Sequence, residues 1–227
     1  MAYANTPVII SGITGKSITL EELRESGVPA LQFAVTNQYD LVWWGSKMHG
    51  SCSSVRVYRP LPPDDTWSIV SYCAVYGSNP PPGPALIVQE VNRDPQNPIL
   101  MPPNPQNPFF EIWNDRDTGG SQNGSIWIPQ APQGYYFIGN VANGQGYQGA
   151  FTGYEMPIIP DLMCVRADLC TVTQATYQIW NDHTSGASFG NAAFWALNGI
   201  PNAFVTGTDY DGYEGTAYIP KGVPAIE

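Results

Sequence analysis

The chain has 227 residues, with 9 Lys plus Arg against 19 Asp plus Glu and a formal charge of -10; without clustered cations it has no electrostatic footprint for nucleic acid or for charge-driven docking on anionic lipid. Charged residues are 12% of the sequence, about half the usual share, while 23 Gly and 22 Pro accompany 7 Trp and 13 Tyr. That mixture specifies short strands and tight turns in a single β domain over residues 1–227 and excludes disorder, which lacks aromatics.

No basic-flanked apolar run of the signal type opens the sequence, and no apolar stretch approaches the roughly 20 residues of a membrane span. The expectation is a cytoplasmic protein, or one released without a classical signal peptide, with no transmembrane segment. Val8–Ser17 (VIISGITGKS) leads a strand into Gly-x-x-Gly-Lys-Ser. Ile10 stands where a phosphate-binding loop needs its first glycine, and no strand–helix alternation follows, so this reads as a glycine turn beside a hairpin or edge strand. The one helix signal is Thr19 to Ser26, where Thr19 and Glu22 form a capping box and Gly27 supplies the stop.

Three segments then align on a tryptophan: LVWWGSKMHG, EIWNDRDTGG and QIWNDHTSGA. With Trp44, Trp113 and Trp180 as origin, a glycine follows six residues later (Gly50, Gly119, Gly186), and an aromatic fourteen later (Tyr58, Trp127, Phe194). A threefold internal repeat therefore covers approximately 38–78, 107–142 and 174–208. Each copy reads as strand, turn, strand, proline-containing turn, strand. The Pro/Asn-rich stretches Ser78–Pro84 and Asn92–Pro108 join the first copy to the second as surface connections. Three units that cannot each bury a face alone must share a core, which predicts an all-β, β-prism-like fold of three antiparallel sheets, with a β-sandwich as the alternative. Cys52, Cys73, Cys164 and Cys170 have neither CxxC spacing nor a His partner, so buried free thiols are expected, with disulfides reserved for an oxidising space.

Glu111–Ala142 (EIWNDRDTGGSQNGSIWIPQAPQGYYFIGNVA), Cys164–Leu169 (CVRADL) and Ile179–Ala187 (IWNDHTSGA) resemble the vacuolar protein sorting-associated protein 62 family, in which W-x-D-x-x-[ST]-G, W-x-P-x-x-P-x-G-Y and C-V-R-x-D-L follow one another. The first copy departs from the pattern: Ser46 replaces the aspartate and Asp65-Thr66-Trp67 replaces the Gly-Tyr step. The resemblance implies a β-prism-like fold. Similar domains occur beside pore-forming perforin-type modules, and the family name alone suggests a trafficking scaffold.

The loops Asn114–Ser121 and Asn181–Ser188 set Asn, Asp and Ser or Thr beside a tryptophan at equivalent positions. Sugar sites use this chemistry, an aromatic face for the ring and amide or carboxylate partners for the hydroxyls. The candidate ligand-binding residues are Trp113, Asn114, Asp115, Asp117, Trp180, Asn181 and Asp182; the competing reading makes the tryptophans core and the Asp and Asn residues turn caps. Asp209, Asp211 and Glu214 around Gly212 resemble the opening of a calcium loop, without EF-hand spacing. His49 and His183 fall at different repeat offsets, and no GxSxG, HExxH or matched Cys/His set exists, so no enzyme, and no cofactor apart from that calcium, is expected. The sequence therefore points to a lectin-like recognition module in defence, binding glycans or glycosylated membrane surfaces, with a homo-dimer as the natural assembly. The rival is a membrane-active toxin component.

Overall fold

Runs of β-branched and aromatic residues punctuated by Gly and Pro form eighteen strands in the computed structural model, which describes residues 8–10, 19–46, 48, 54–77 and 79–225. The first half contains β1 (Val8–Ile10), β2 (Ala30–Thr36), β3 (Tyr39–Gly45), β4 (Val55–Pro60), β5 (Ser68–Ile69), β6 (Cys73–Tyr76), β7 (Ala85–Val91), β8 (Leu100–Met101) and β9 (Phe109–Asn114). The second half contains β10 (Gly124–Pro129), β11 (Tyr135–Tyr136), β12 (Val141–Gly144), β13 (Cys164–Arg166), β14 (Cys170–Thr173), β15 (Ala175–Asn181), β16 (Ala193–Leu197), β17 (Phe204–Gly207) and β18 (Ala217–Pro220).

Each repeat folds into one antiparallel three-stranded sheet, with strand orders β3-β4-β6, β9-β10-β12 and β15-β16-β17. A fourth sheet, β1-β2-β7-β5, and the small sheets β11-β13-β8 and β14-β18 complete the β structure. The helix α1 (Leu20–Ser26) has the expected reciprocal cap between Thr19 and Glu22 and ends on left-handed Gly27. β1 lies at the edge of its sheet. The glycine turn expected at Gly12 to Ser17 lies outside the described residues, as do Cys52 and His49. Cys73, Cys164 and Cys170 are buried free thiols, and burial pushes Cys164 and Cys170 up to about 12.

The three repeat sheets share one core, and at its centre stand three tryptophans. Trp43, Trp113 and Trp180 meet edge to face, with ring centroids 5.6, 6.1 and 5.6 Å apart, a geometry in which ring edges face ring π-faces. This corrects the repeat register: Trp43, not Trp44, is the counterpart of Trp113 and Trp180, and Trp44 is half-buried. The reason lies in the backbone. Just before the core tryptophan, the pairing of each first strand with its neighbour slips, between Leu41 and Trp43, between Trp113 and Glu111, and between Gln178 and Trp180. A bulge lets two consecutive side chains face the same way, so Val42 with Trp43, and Ile179 with Trp180, all enter the core. Period-two alternation in LVWWG cannot distinguish the two indoles, because the bulge suspends it.

Gly124 lies flush against the Trp43 indole, and a Cβ there would collide with it. A second core, including Leu31, Phe33, Val88, Val165, Trp195 and Val205, joins the third repeat sheet to β2 and β7.

Replacing Trp113 with Ala is expected to destabilise the protein by about 3–5 kcal/mol, read from urea unfolding. A loss under about 1 kcal/mol would show that the triangle is not the centre of the core.

Candidate functional site

The second and third repeats each turn from their first strand into a polar loop, 115–123 and 182–192. The turns have the same construction. Asn114 Oδ1 accepts the Arg116 N–H (3.2 Å) while its amide donates to Glu111 Oε1 (2.9 Å). Asn181 Oδ1 accepts the His183 N–H (3.1 Å) and its amide donates to Gln178 Oε1. Asp117 and Thr184, at equivalent positions, take left-handed φ of 66° and 63°, and Gly119 and Gly186 follow at 71° and 75°.

Beneath these turns the two aspartates are buried. Asp182 Oδ2 accepts the indole N–H of Trp113 from the preceding repeat (2.6 Å), while Oδ1 accepts the Ala192 N–H (2.8 Å) and the Tyr210 hydroxyl (2.8 Å). Asp115 Oδ1 accepts the Gly124 N–H (3.0 Å) and the Tyr154 hydroxyl (3.0 Å). The Trp43 indole donates to Gln122 O (3.1 Å) and lies within reach of the Asp115 carboxylate. Each carboxylate thus closes its own loop, and Asp182 also receives the Trp113 indole N–H from the repeat before it. Desolvation raises the Asp115 carboxyl above the usual range, against the pull of these donors. Burial, and then the Asp115 or Asp182 carboxylate beside them, push the Tyr154 and Tyr210 hydroxyls well above theirs. In the first repeat Gly45 holds the aspartate position, and the Met48 side chain lies over it.

This burial decides which of the sequence-derived ligand residues face solvent. Trp113, Trp180, Asn114, Asp115 and Asp182 are all sealed from solvent, so no sugar ring can stack on these indoles. Asp117 is exposed and Asn181 is half-buried. Asp209, Asp211 and Glu214 do not form a cage: Asp209 Oδ1 accepts the Asp211 N–H (2.8 Å) in a tight turn. Among the described residues, no three His, Cys, Asp or Glu side chains converge to hold a metal ion.

What the braced loops present outward is different. The Arg116 guanidinium lies 4.5 Å from the centroid of the Tyr154 ring, and His183 meets the Tyr210 ring edge-on at 5.0 Å. Arg116 and His183 both stand three residues after their core tryptophan, so the two exposed bases sit at equivalent positions over equivalent tyrosines. The loops touch one another: Ser188 N–H donates to Arg116 O (3.1 Å), Phe189 bridges to Asn114, and Ser121 N–H donates to Ser46 O (3.1 Å). The shared offset of Arg116 and His183 was visible in the sequence. Their tyrosines were not, because Tyr154 and Tyr210 lie at unequal distances along the chain.

A second surface feature is the 147–158 segment. Phe151 is 85% exposed and Ile158 81% exposed, beside a groove of about 460 Å3 that Tyr147 and Met156 also line. The segment is held firmly: Ser125 Oγ donates to Gly153 O (2.7 Å), and the Glu155 carboxylate accepts the Thr152 and Gly153 N–H groups (2.9 Å each). Those bonds, chiefly the one from Thr152, hold the Glu155 carboxyl below its usual range.

The sequence pattern of the family described as vacuolar protein sorting-associated protein 62 matches residues 16–202. No curated protein matches. Among solved structures, the crystal structure of GNIP1Aa from Chromobacterium piscinae is similar, with a TM-score of 0.68 and 20% sequence identity, over 85% of this chain and 37% of that one. At that identity the likeness concerns the fold, and this chain spans little more than a third of the GNIP1Aa chain.

Asp182→Ala leaves the Trp113 and Ala192 N–H groups and the Tyr210 hydroxyl without their acceptor. It is expected to cost about 2–4 kcal/mol in urea unfolding, against under about 0.5 kcal/mol for exposed Asp117→Ala; equal costs would refute the brace. Because the folded Glu155 value is lowered, its stabilisation is present above the unfolded value of about 4.3 and is lost as pH falls through the folded value. The Thr152 and Gly153 amide resonances should therefore titrate below pH of about 4.3. Flat shifts there would mean that the carboxylate does not hold the turn.

Proposed function

We propose that this chain, which belongs to the vacuolar protein sorting-associated protein 62 family, is a non-enzymatic recognition module that binds glycans or glycosylated membrane surfaces through the loops of its repeats. The observation that carries the reading is the buried Asp115 and Asp182 pair. Two carboxylates anchored beneath the surface hold two touching loops rigid, and those loops present Arg116, Asp117, His183 and Ser188 together. Rigid loops on a β scaffold lose little conformational entropy when they bind. A carboxylate, a guanidinium, an imidazole and a hydroxyl offer the donors and acceptors that sugar hydroxyls use. Repetition of the same construction in adjacent loops suits a multivalent ligand, for which two weak contacts act together.

The assignment of ligand contacts moves accordingly from the buried tryptophans and aspartates to the exposed residues around them. On a glycan array, Arg116→Ala combined with His183→Ala should lower the signal from acidic glycans about tenfold or more without shifting the melting temperature. Unchanged binding by a folded double variant would remove the loops from the site.

A second reading is favoured by Phe151 and Ile158, two large apolar side chains almost fully in solvent on a firmly held segment. Exposed apolar groups on a rigid support suit the bilayer interface. Among the described residues no helix is long and apolar enough to cross a membrane, which leaves strand-mediated crossing open. Dye release from liposomes separates the two readings: a recognition module alone binds glycolipid vesicles and leaves them sealed, whereas leakage would favour the membrane-active one.

A further inference from the structure

Away from the repeat loops, the edge strand of the first repeat sheet, β6, lies beside the edge strand of the third, β15. The Ala74 N–H donates to Asn202 O (2.9 Å) and Cys73 bridges to Ala203, so the seam is stitched at its floor. One groove of about 230 Å3 opens along it, and a second of about 380 Å3, over β15, β16 and the 198–202 turn, adjoins it; both are lined by Tyr177 and Asn202. Together they are of the size that small-molecule sites occupy.

Three properties mark the seam. Tyr76 and Tyr177 are each 66% exposed, so two aromatic rings flank one groove with much of their surface in water. Side-chain amides of Asn79, Asn198 and Asn202 join them. Asn202, in a left-handed backbone conformation at φ 59°, is fixed by its amide donating to Gly83 O (3.3 Å). The Tyr76 and Tyr177 hydroxyls and the Asn79 and Asn198 amides bond no described residue, which leaves their hydrogen-bonding capacity for a ligand. Finally, among the described residues no Lys, Arg, Asp or Glu lines either groove. In a chain of net charge -10, an uncharged cleft selects an uncharged occupant.

We infer that the seam between β6 and β15 is a binding groove for a neutral saccharide, with Tyr76 and Tyr177 as platforms for the apolar faces of successive rings. Each asparagine amide donates and accepts at once, as does each sugar hydroxyl, so one amide satisfies a hydroxyl in both roles. The tyrosine rings cover the C–H faces that the hydroxyls leave bare, and each hydroxyl group at the ring edge reaches solvent or ligand. An extended chain of sugars would run along both grooves past Tyr177. The inference deepens the glycan reading and places a contact surface away from the repeat loops.

The test is an array carrying neutral and acidic oligosaccharides, probed with wild type, Tyr76→Ala, Tyr177→Ala, Tyr177→Phe and the Arg116→Ala/His183→Ala variant, followed by calorimetric titration of the best neutral hit. Both tyrosines are surface residues, so their variants should melt with the wild type. The expected result is binding of neutral oligosaccharides that weakens about tenfold in Tyr177→Ala, survives in Tyr177→Phe, and is unaffected by the loop variant. If neutral sugars bind but both tyrosine-to-alanine variants match wild type, the seam is overturned and the recognition reading stands on the loops. Binding of acidic sugars alone, lost in the loop variant, likewise overturns the seam. A blank array with folded protein overturns both the seam and the glycan reading.

Discussion

An indole buried at the centre of a protein poses a conflict: its rings belong in the apolar core, but its N–H must find an acceptor. Here the conflict is met between repeats. The Trp113 N–H reaches Asp182 in the next repeat, and the Trp43 N–H reaches Gln122 O and the neighbourhood of Asp115. Asp182, which satisfies the Trp113 indole, also pins the loop above it through the Ala192 N–H and the Tyr210 hydroxyl, and Asp115 pins its own loop through the Gly124 N–H and the Tyr154 hydroxyl. Core packing and surface loop geometry are therefore one network. Several donors converge on each buried carboxylate, as a buried polar group requires.

This network explains which parts of the molecule could be read in advance. The all-β class and the three sheets around a shared core follow from composition and from the recurrence of Trp, Gly and the strand pattern, and the capped helix from Thr19, Glu22 and Gly27. The tandem Trp43-Trp44 was ambiguous because a bulge breaks the alternation that would have oriented it. The site was harder. Trp, Asn and Asp in a polar loop fit a sugar site and a buried brace equally well, since both place an acceptor beside an indole. What separates them is depth, and depth depended on Tyr154 and Tyr210, whose sequence separations from Asp115 and Asp182 share no period. Tyr76, Tyr177 and Asn202 come from three segments that only the packing of one repeat against another brings together.

The departures from symmetry are as informative as the symmetry. At the position of Asp115 and Asp182 the first repeat has Gly45, and Met48 covers it. An apolar side chain stands there where the other two repeats have a buried carboxylate. The exposed bases follow the same division, with Arg116 and His183 at matching places and Ser46 in the first copy. The braced loops belong to the second and third repeats, while the first supplies packing and one wall of the seam.

The tryptophan triangle also sets how the chain must reach its native state. Residues 43, 113 and 180 meet at one point, so the core closes only after nearly four fifths of the sequence has been assembled, and most native contacts join residues far apart along the chain. High contact order makes folding slow and cooperative. A fragment holding two repeats would carry the Trp43 and Trp113 indoles without the third ring to complete their packing, and without the carboxylate of Asp182. During synthesis the chain has no stable halfway structure around this core, and its first two repeats stay dependent on the third until the last tryptophan arrives.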